Sequence, residues 1–366
     1  MSENSKISKI LIVQPSWVGD AVMATPMLRA MRELYPQAHI AYLMRRYVKP
    51  LYSGMPWADQ LITYRTGKTK AKAGRGLLDL AGRLRSAKFD LAVLLPNSFK
   101  SALVCKLAKI EQVVGYDRDG RSFLLTDKLL PVKQAGKFIP TPLVRYYMGL
   151  ARYLGSSARD LTLQLFITDA ERRSAAQVLD RAGIDPAINR PGAAGRGPLI
   201  LFNPGAAHGE AKCWLPEYFG ELADRMMEEL GATILLAGAP RERPIIQAVR
   251  KHIKGTVADL IDAGLDLGSL KEITRRCDLV VTNDTGARHV AAAVQTPVVT
   301  IFGPTHPQWT EINFEYERKV SVKVFCGPCQ KKYCPLDHRC MTRVTPAMVF
   351  NTSRELLRKQ PTIAAS

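Results

Sequence analysis

The chain has 366 residues, 46% of them hydrophobic and 23% charged, a length beyond the usual span of one hydrophobic core and a composition that excludes a disordered chain. Lys and Arg outnumber Asp and Glu by 52 to 33, and the resulting formal charge of +19 favours a polyanionic partner: nucleic acid, anionic lipid or a phosphorylated glycolipid. The polar start Met1–Ser8 runs into an apolar stretch too short for a signal peptide or membrane span, and seven cysteines with four crowded late fit a secreted disulfide framework poorly, so a cytosolic enzyme is expected.

Short apolar runs then alternate with segments of helical spacing, the signature of a parallel sheet covered on both faces. Lys9–Val13, His39–Met44, Gln60–Tyr64, Phe89–Leu95 and Gln112–Gly115 read as strands. Ala21–Leu34 and Leu77–Ala87 read as amphipathic helices, and Ser98–Ala108 as a more deeply packed one. From Arg65 to Lys88 there are eight Lys or Arg residues against one acid, Asp79, which makes either a solvated basic helix and loop or a binding surface. A helix at Ala170–Ala182 gives way to Asn189–Pro198, a Gly- and Pro-rich run that reads as an inter-domain linker or mobile loop.

The alternation resumes with strands at Leu199–Phe202, Thr233–Ala237, Leu279–Thr282 and Val298–Phe302. Helices at Pro216–Leu230, Arg243–His252, Leu270–Arg276 and Ala287–Val294 separate them. The expected organisation is a first domain at 1–175, a linker at 176–198, a second domain at 199–345 and a C-terminal helix and tail at 346–366, with a cleft between two doubly wound domains.

Ligands of open α/β sheets sit at the carboxyl ends of strands, so the loops after each strand hold the candidates. Asp20 follows the first strand at a helix N-terminus, where it serves as an N-cap or as a general base that takes a proton from an acceptor hydroxyl. Asn283-Asp284-Thr285-Gly286-Ala287-Arg288-His289 joins a strand to a helix, and the N–H groups and positive dipole end there suit a diphosphate, or simply a capped turn. Gly286 allows close approach and Thr285 adds a hydroxyl. The Gly-rich loop Asn203–Trp214 carries Lys212, whose ammonium would neutralise charge on a departing nucleotide. Glu242 is either an acceptor for ribose hydroxyls or an ordinary first-turn acid.

No Walker A loop, Gly-x-Gly-x-x-Gly after a strand, Gly-x-Ser-x-Gly or His-Glu-x-x-His is present, which removes support from phosphoryl transfer, nicotinamide chemistry and common hydrolases. Cys326, Cys329, Cys334 and Cys340, with His338 among them, offer enough soft ligands for one zinc at a spacing that matches no standard finger; buried thiols pinning a loop are the other reading, and no metal site is assigned.

With Pro15–Asp20, Leu95–Leu103, Gly205–Trp214, Asn283–Gly286 with His289, and Gly303–Thr305 in view, nearly the whole chain resembles the bacterial ADP-heptose:lipopolysaccharide heptosyltransferases of glycosyltransferase family 9, particularly their type II. The resemblance implies an α/β fold of GT-B architecture, with acceptor held by the first Rossmann-like domain and nucleotide sugar by the second. It implies transfer with inversion from ADP-heptose to the inner-core heptose of lipopolysaccharide, without a metal or other cofactor. Asp20 stands at the position of the family's proposed base, Lys212 at a diphosphate contact that assists departure, and Glu242 at a ribose contact. Asp284, Thr285, Gly286 and His289 match the segment around the diphosphate and sugar, and Ser16, Trp17, Asn97, Ser98 and Lys100 are the acceptor-binding candidates. The implied partners are ADP-heptose and a phosphorylated lipid A–Kdo–heptose, with peripheral contact to the anionic inner face of the inner membrane and no nucleic acid.

Two departures stand out: Trp214-Leu215-Pro216 in place of a Trp-Pro pair, and a longer segment at Asp262–Leu270. The competing readings are a GT-B enzyme with another nucleotide sugar or an epimerase reaction, and a nucleic-acid binder. The last lacks an aromatic-studded basic strand or recognition-helix motif.

Overall fold

The computed structural model describes residues 7–64, 70–185 and 197–359. Residues 186–196 of the expected linker and 65–69 of the basic segment lie outside them. The described chain divides into two compact units: residues 1–163 with 308–312, and residues 164–307 with 313–366.

The first unit contains β1 (Lys9–Val13), α1 (Val18–Met23), α2 (Thr25–Leu34), β2 (His39–Arg45), β3 (Gln60–Tyr64), α3 (Lys70–Ala87), β4 (Leu91–Leu94), α4 (Phe99–Leu107) and β5 (Gln112–Tyr116). It continues with β6 (Asp127–Leu129), the short hairpin β7 (Lys133–Gln134) and β8 (Lys137–Phe138), and α5 (Leu143–Tyr153). Its six-stranded sheet runs β3-β2-β1-β4-β5-β6, parallel throughout. Ile10, Leu11 and Ile12 have no exposure, because both faces of β1 are covered; that is why the strand reads as an unbroken apolar run.

The single helix expected at Ala21–Leu34 is two. Pro26 lies in the first turn of α2 and brings no N–H to continue the α1 ladder, so the chain breaks at Ala24, while the Thr25 hydroxyl donates to Val22 O at 2.8 Å. Sequence periodicity also missed α5, whose buried Val144, Tyr147, Met148, Leu150 and Ala151 pack its apolar side inward.

The second unit holds α6 (Asp169–Arg181), β9 (Leu199–Asn203), α7 (Pro216–Leu230), β10 (Thr233–Leu236), α8 (Arg243–Lys251), β11 (Ala258–Asp259), α9 (Leu267–Arg276), β12 (Leu279–Asn283) and α10 (Gly286–Ala293). It ends with β13 (Val298–Ile301), β14 (Glu317–Val320), α11 (Arg339–Thr342) and α12 (Pro346–Arg358). The sheet order is β11-β10-β9-β12-β13-β14, again all parallel.

The chain divides after Leu163 rather than at the expected 175, and the physical reason is local. Lys271 of α9 is fully buried, 2.9 Å from Glu171 of α6, and donates to Phe166 O at 2.7 Å, which fastens the stretch leading into α6 to the second unit. The C-terminal helix α12 is likewise no separate tail: Val349, Phe350 and Leu356 belong to the core over β9, β10 and β12. In each sheet the strand order reverses at the central pair, β1 beside β4 and β9 beside β12, and the loops leaving those strands are where the candidates fall.

Candidate functional site

Four loops of the second unit converge beyond β9, β10, β12 and β13. Asn283, buried at the end of β12, donates from Nδ2 to Pro204 O at 2.7 Å and accepts from the Trp214 N–H at 3.0 Å, fixing both ends of the Gly-rich loop. Trp214 is fully buried and its indole N–H donates to Val344 O at 2.8 Å, so its polar atom is satisfied inside the core. The Leu215 insertion leaves this anchoring intact: α7 still starts at Pro216, where a missing N–H costs nothing. Ala211 N–H donates to Lys332 O at 3.0 Å and Ala211 O lies 2.9 Å from His338 Nε2, which braces the loop from the Cys-rich segment.

That bracing aims Lys212. Its ammonium donates to Asp284 Oδ2 at 2.8 Å and to Asp284 O at 2.9 Å, and the Thr305 hydroxyl donates to the same carboxylate at 2.7 Å. Arg288, one turn along α10, lies 3.4 Å from Asp284 Oδ1 and makes a two-pronged pair with Glu317 at 2.6 and 2.9 Å; Thr300 donates to Glu317 at 2.7 Å. Charges thus alternate along Lys212, Asp284, Arg288 and Glu317, the last three buried. Burial alone would raise the Asp284 carboxyl, but Lys212 and Arg288, with hydrogen bonds from Lys212 and Thr305, hold it down at about 2. Asp284 is 4% exposed, so it is placed to orient the Lys212 ammonium. His289 is buried with Nδ1 unpartnered, and burial followed by the Arg288 charge keeps its pKa well below the ordinary imidazole value, leaving the ring neutral at pH 7.

Thr285, Gly286 and Ala287 open α10 and remain partly exposed, with Thr285 at the N-cap and its hydroxyl 3.1 Å from that of Thr282. The first-turn N–H groups have no intrahelical acceptor, and the dipole makes that end positive. Glu242 packs against the start of the Gly-rich loop: a Cβ at Gly205 would lie 2.5 Å from its carboxylate carbon, so a side chain there would push the carboxylate aside. One Glu242 oxygen also accepts from Ala239 N–H at 2.8 Å, so the first-turn role and the half-buried position beside the loop coexist.

In the first unit Asp20 is not an N-cap. Trp17 occupies that position because α1 starts at Val18, three residues earlier than the sequence periodicity indicates, and Asp20 sits in the first turn, partly exposed. Two fully buried phenols, Tyr52 and Tyr147, feel it: burial, and then neighbours that include the Asp20 charge, raise both well above the usual phenol value, so they stay protonated. Ser16 O accepts the Tyr47 hydroxyl, and Trp17 is 54% exposed. Asn97 Oδ1 accepts from Tyr146 at 3.0 Å and Arg121 at 3.4 Å, Ser98 caps α4, and Lys100 is exposed.

Sequence reasoning missed Arg121, which is fully buried and donates to Pro96 O, to Ser98 O at 3.3 Å, to Ser101 Oγ at 3.1 Å and to Tyr116 O. It shapes the loop that presents Asn97. No motif marks it, since its partners are mostly backbone carbonyls. Glu317 was missed too, because its partners Arg288 and Thr300 come to it from a separate helix and strand at no motif spacing. None of the seven cysteines is in a disulfide, and Cys326, Cys329, Cys334 and Cys340 line one cavity together with Ala211, Pro304 and His338. Among the described residues no group of three or more donors is arranged to hold a metal.

The family model for glycosyltransferase family 9 (heptosyltransferase) matches residues 77–339. The chain is 28% identical to lipooligosaccharide heptosyltransferase 2 of Haemophilus influenzae, over 96% of this chain and 99% of that one. It is 30% identical to lipopolysaccharide heptosyltransferase 2 of Escherichia coli, over 95% and 98%. The solved structure of E. coli ADP-heptose lps heptosyltransferase II superposes with a TM-score of 0.77 at 27% identity, covering 96% of this chain and 99% of the other, so the fold is GT-B. With two parallel sheets of matching order and these relatives spanning it almost end to end, the chain belongs to glycosyltransferase family 9 and is a glycosyltransferase of the heptosyltransferase II type.

Proposed function

We propose that the chain moves heptose from ADP-L-glycero-β-D-manno-heptose to the inner-core heptose of lipopolysaccharide, with inversion at the anomeric carbon. The observation that carries this reading is the Lys212 ammonium held by Asp284 beside the open N-terminus of α10. Together these supply a point cation and converging N–H donors for a diphosphate, which need no metal ion to meet its charge. The relatives' names supply the donor and acceptor.

In the reaction, Asp20 accepts the proton of an acceptor hydroxyl while that oxygen attacks the anomeric carbon. The bond from that carbon to the diphosphate oxygen breaks, and ADP departs with the electron pair, its new charge met by Lys212 and the Thr285–Gly286 turn. His289, neutral and buried, supports the sugar side, and Glu242 accepts from the ribose hydroxyls. Ser16, Trp17, Asn97, Ser98 and Lys100 contact the acceptor, a phosphorylated lipid A–Kdo–heptose at the cytoplasmic face of the inner membrane. Among the described residues no helix is long and apolar enough to cross a membrane, so contact with the bilayer is peripheral in this reading.

The test is ADP release from ADP-heptose with and without a truncated Kdo–heptose acceptor, with product mass and anomeric configuration read alongside. Acceptor-dependent release of ADP and an added α-linked heptose are expected. Equal turnover with unrelated nucleotide sugars, or an epimerised donor without transfer, refutes the reading.

A further inference from the structure

The hairpin β7–β8 stands apart from both large sheets, as a separate two-stranded sheet following β6. Its turn is tight, with Ala135 and Gly136 both at positive φ, the two-residue geometry that matches strand twist. Apolar side chains on such an appendage have no core to join, and yet the segment is apolar: Leu130 is 77% exposed, Val132 63%, Ile139 37% and Phe138 36%. Ile139 N–H donates to Val132 O across the hairpin and Phe138 pairs with Lys133 in register, so Val132 and Ile139 share one face of the ribbon while Phe138 and Lys133 share the other. Cations frame them. The Arg118 guanidinium lies 4.0 Å from the Phe138 ring centroid and the Lys133 ammonium 4.9 Å, while Lys128, paired beside Gly115 at the sheet edge, is exposed.

From this pairing of an apolar ridge with flanking cations we infer that the segment Lys128–Ile139 docks the chain on an anionic bilayer surface. Leu130, Val132, Phe138 and Ile139 enter the headgroup–acyl boundary, and Arg118, Lys128 and Lys133 meet lipid phosphates. The charge complementarity selects this occupant: an apolar protein partner that covers the Val132–Ile139 face gives no use to the cations stacked on Phe138 at the other, whereas an anionic interface that the hairpin enters takes both. The inference gives a location to the membrane contact in the reading above and rests on that reading for its purpose. The binding itself is measured without turnover.

The experiment is co-sedimentation of the full chain with vesicles of phosphatidylcholine alone and of phosphatidylcholine mixed with phosphatidylglycerol, at low and high salt. The parent chain is expected to bind the anionic vesicles selectively and to release at high salt. Val132→Asp with Ile139→Asp is expected to weaken binding by about tenfold or more, since two apolar anchors are replaced by charges. Lys128→Glu with Lys133→Glu, which keeps the ridge, is expected to abolish the preference for phosphatidylglycerol. All these positions are exposed, and unchanged melting with unchanged ADP release on a soluble, lipid-free acceptor shows that the variants are folded. Anionic-vesicle binding equal in parent and Val132→Asp/Ile139→Asp chains, or binding indifferent to phosphatidylglycerol, overturns the inference. So does a dimer in light scattering that the same variant dissolves, which assigns the ridge to a second copy. Absence of ADP release from the parent chain on the soluble acceptor refutes the proposed reaction and leaves the vesicle result standing.

Discussion

The two six-stranded sheets have the same order, strand for strand, but the loops at their carboxyl ends are furnished differently. In the second unit the ends of β9 and β12 are locked by a chain of alternating charges, Lys212 to Asp284 to Arg288 to Glu317, three of whose members are buried. In the first unit the end of β1 offers a partly exposed carboxylate, Asp20, above protonated Tyr52 and Tyr147, and the end of β4 offers a loop shaped by one buried arginine. A shared scaffold therefore carries two kinds of site. The charge-locked one is stiff and suits a group of constant shape such as a diphosphate. The tyrosine-lined one leaves an acid accessible and suits proton transfer.

The sharpest way to break that division is Asp20→Asn. Loss of a general base lowers turnover by about 10² to 10⁴ while ADP affinity, measured by calorimetry, stays near the parent value. A variant that turns over like the parent removes Asp20 from the reaction. Arg288→Met attacks the other side: Glu317 loses its two-pronged partner and Asp284 one of its cations, so urea unfolding should show a loss of about 3–5 kcal/mol. Parent-like stability would mean that apolar packing replaces the charge chain without loss.

Lys212→Ala should weaken ADP-heptose binding by about 10- to 100-fold, the worth of a hydrogen bond to a charged group, and slow ADP release as well. Unchanged affinity and rate would show that the ammonium points away from the donor. Gly205→Ala places a Cβ 2.5 Å from the Glu242 carboxylate carbon and must swing that carboxylate aside, with an expected stability loss below about 1 kcal/mol and weaker ADP binding. Full ADP affinity in that variant would separate Glu242 from the ribose.

The last effect is on pH dependence. The Asp284 carboxyl is depressed to about 2 in the folded chain, against an ordinary value of 3.8, so it stabilises the fold at pH above its unfolded value. That contribution, of order 2 kcal/mol, disappears as pH falls from about 4 through 2. Asp284→Asn should flatten this part of the acid-unfolding curve, and an unaltered curve would place the acid sensitivity elsewhere.

Much of the fold was legible because its determinants are local. The apolar runs Lys9–Val13 and Leu199–Asn203 have few alternatives to buried parallel strands, and α7 was readable at both ends from Pro216 and Gly231, the latter in the left-handed conformation that ends a helix. Legibility failed where a local signal was weak or ambiguous. Helix α5 has apolar spacing but no strong cap, β14 carries three charged residues in four, and the helix expected from Ala21 begins earlier and breaks at Ala24. Of the candidate site, Lys212, Glu242 and the Asn283–His289 turn were readable as residue types in suitable loops. Their duties were not, because Asp284 reads equally well as a ligand contact or as a partner of Lys212.

The sequence by itself determined the alternation of strands and helices, the turns that end them and the family resemblance, since these depend on neighbours a few residues apart. Only the tertiary structure decided which charges are paired. Lys212 meets Asp284 across 72 positions and Arg288 meets Glu317 across 29, pairings set by parallel strand order rather than by spacing. It also decided that Arg121 is buried, that α6 packs with the second unit, and that Leu130, Val132, Phe138 and Ile139 face outward. Burial belongs to the packed chain as a whole, and no window of sequence contains it.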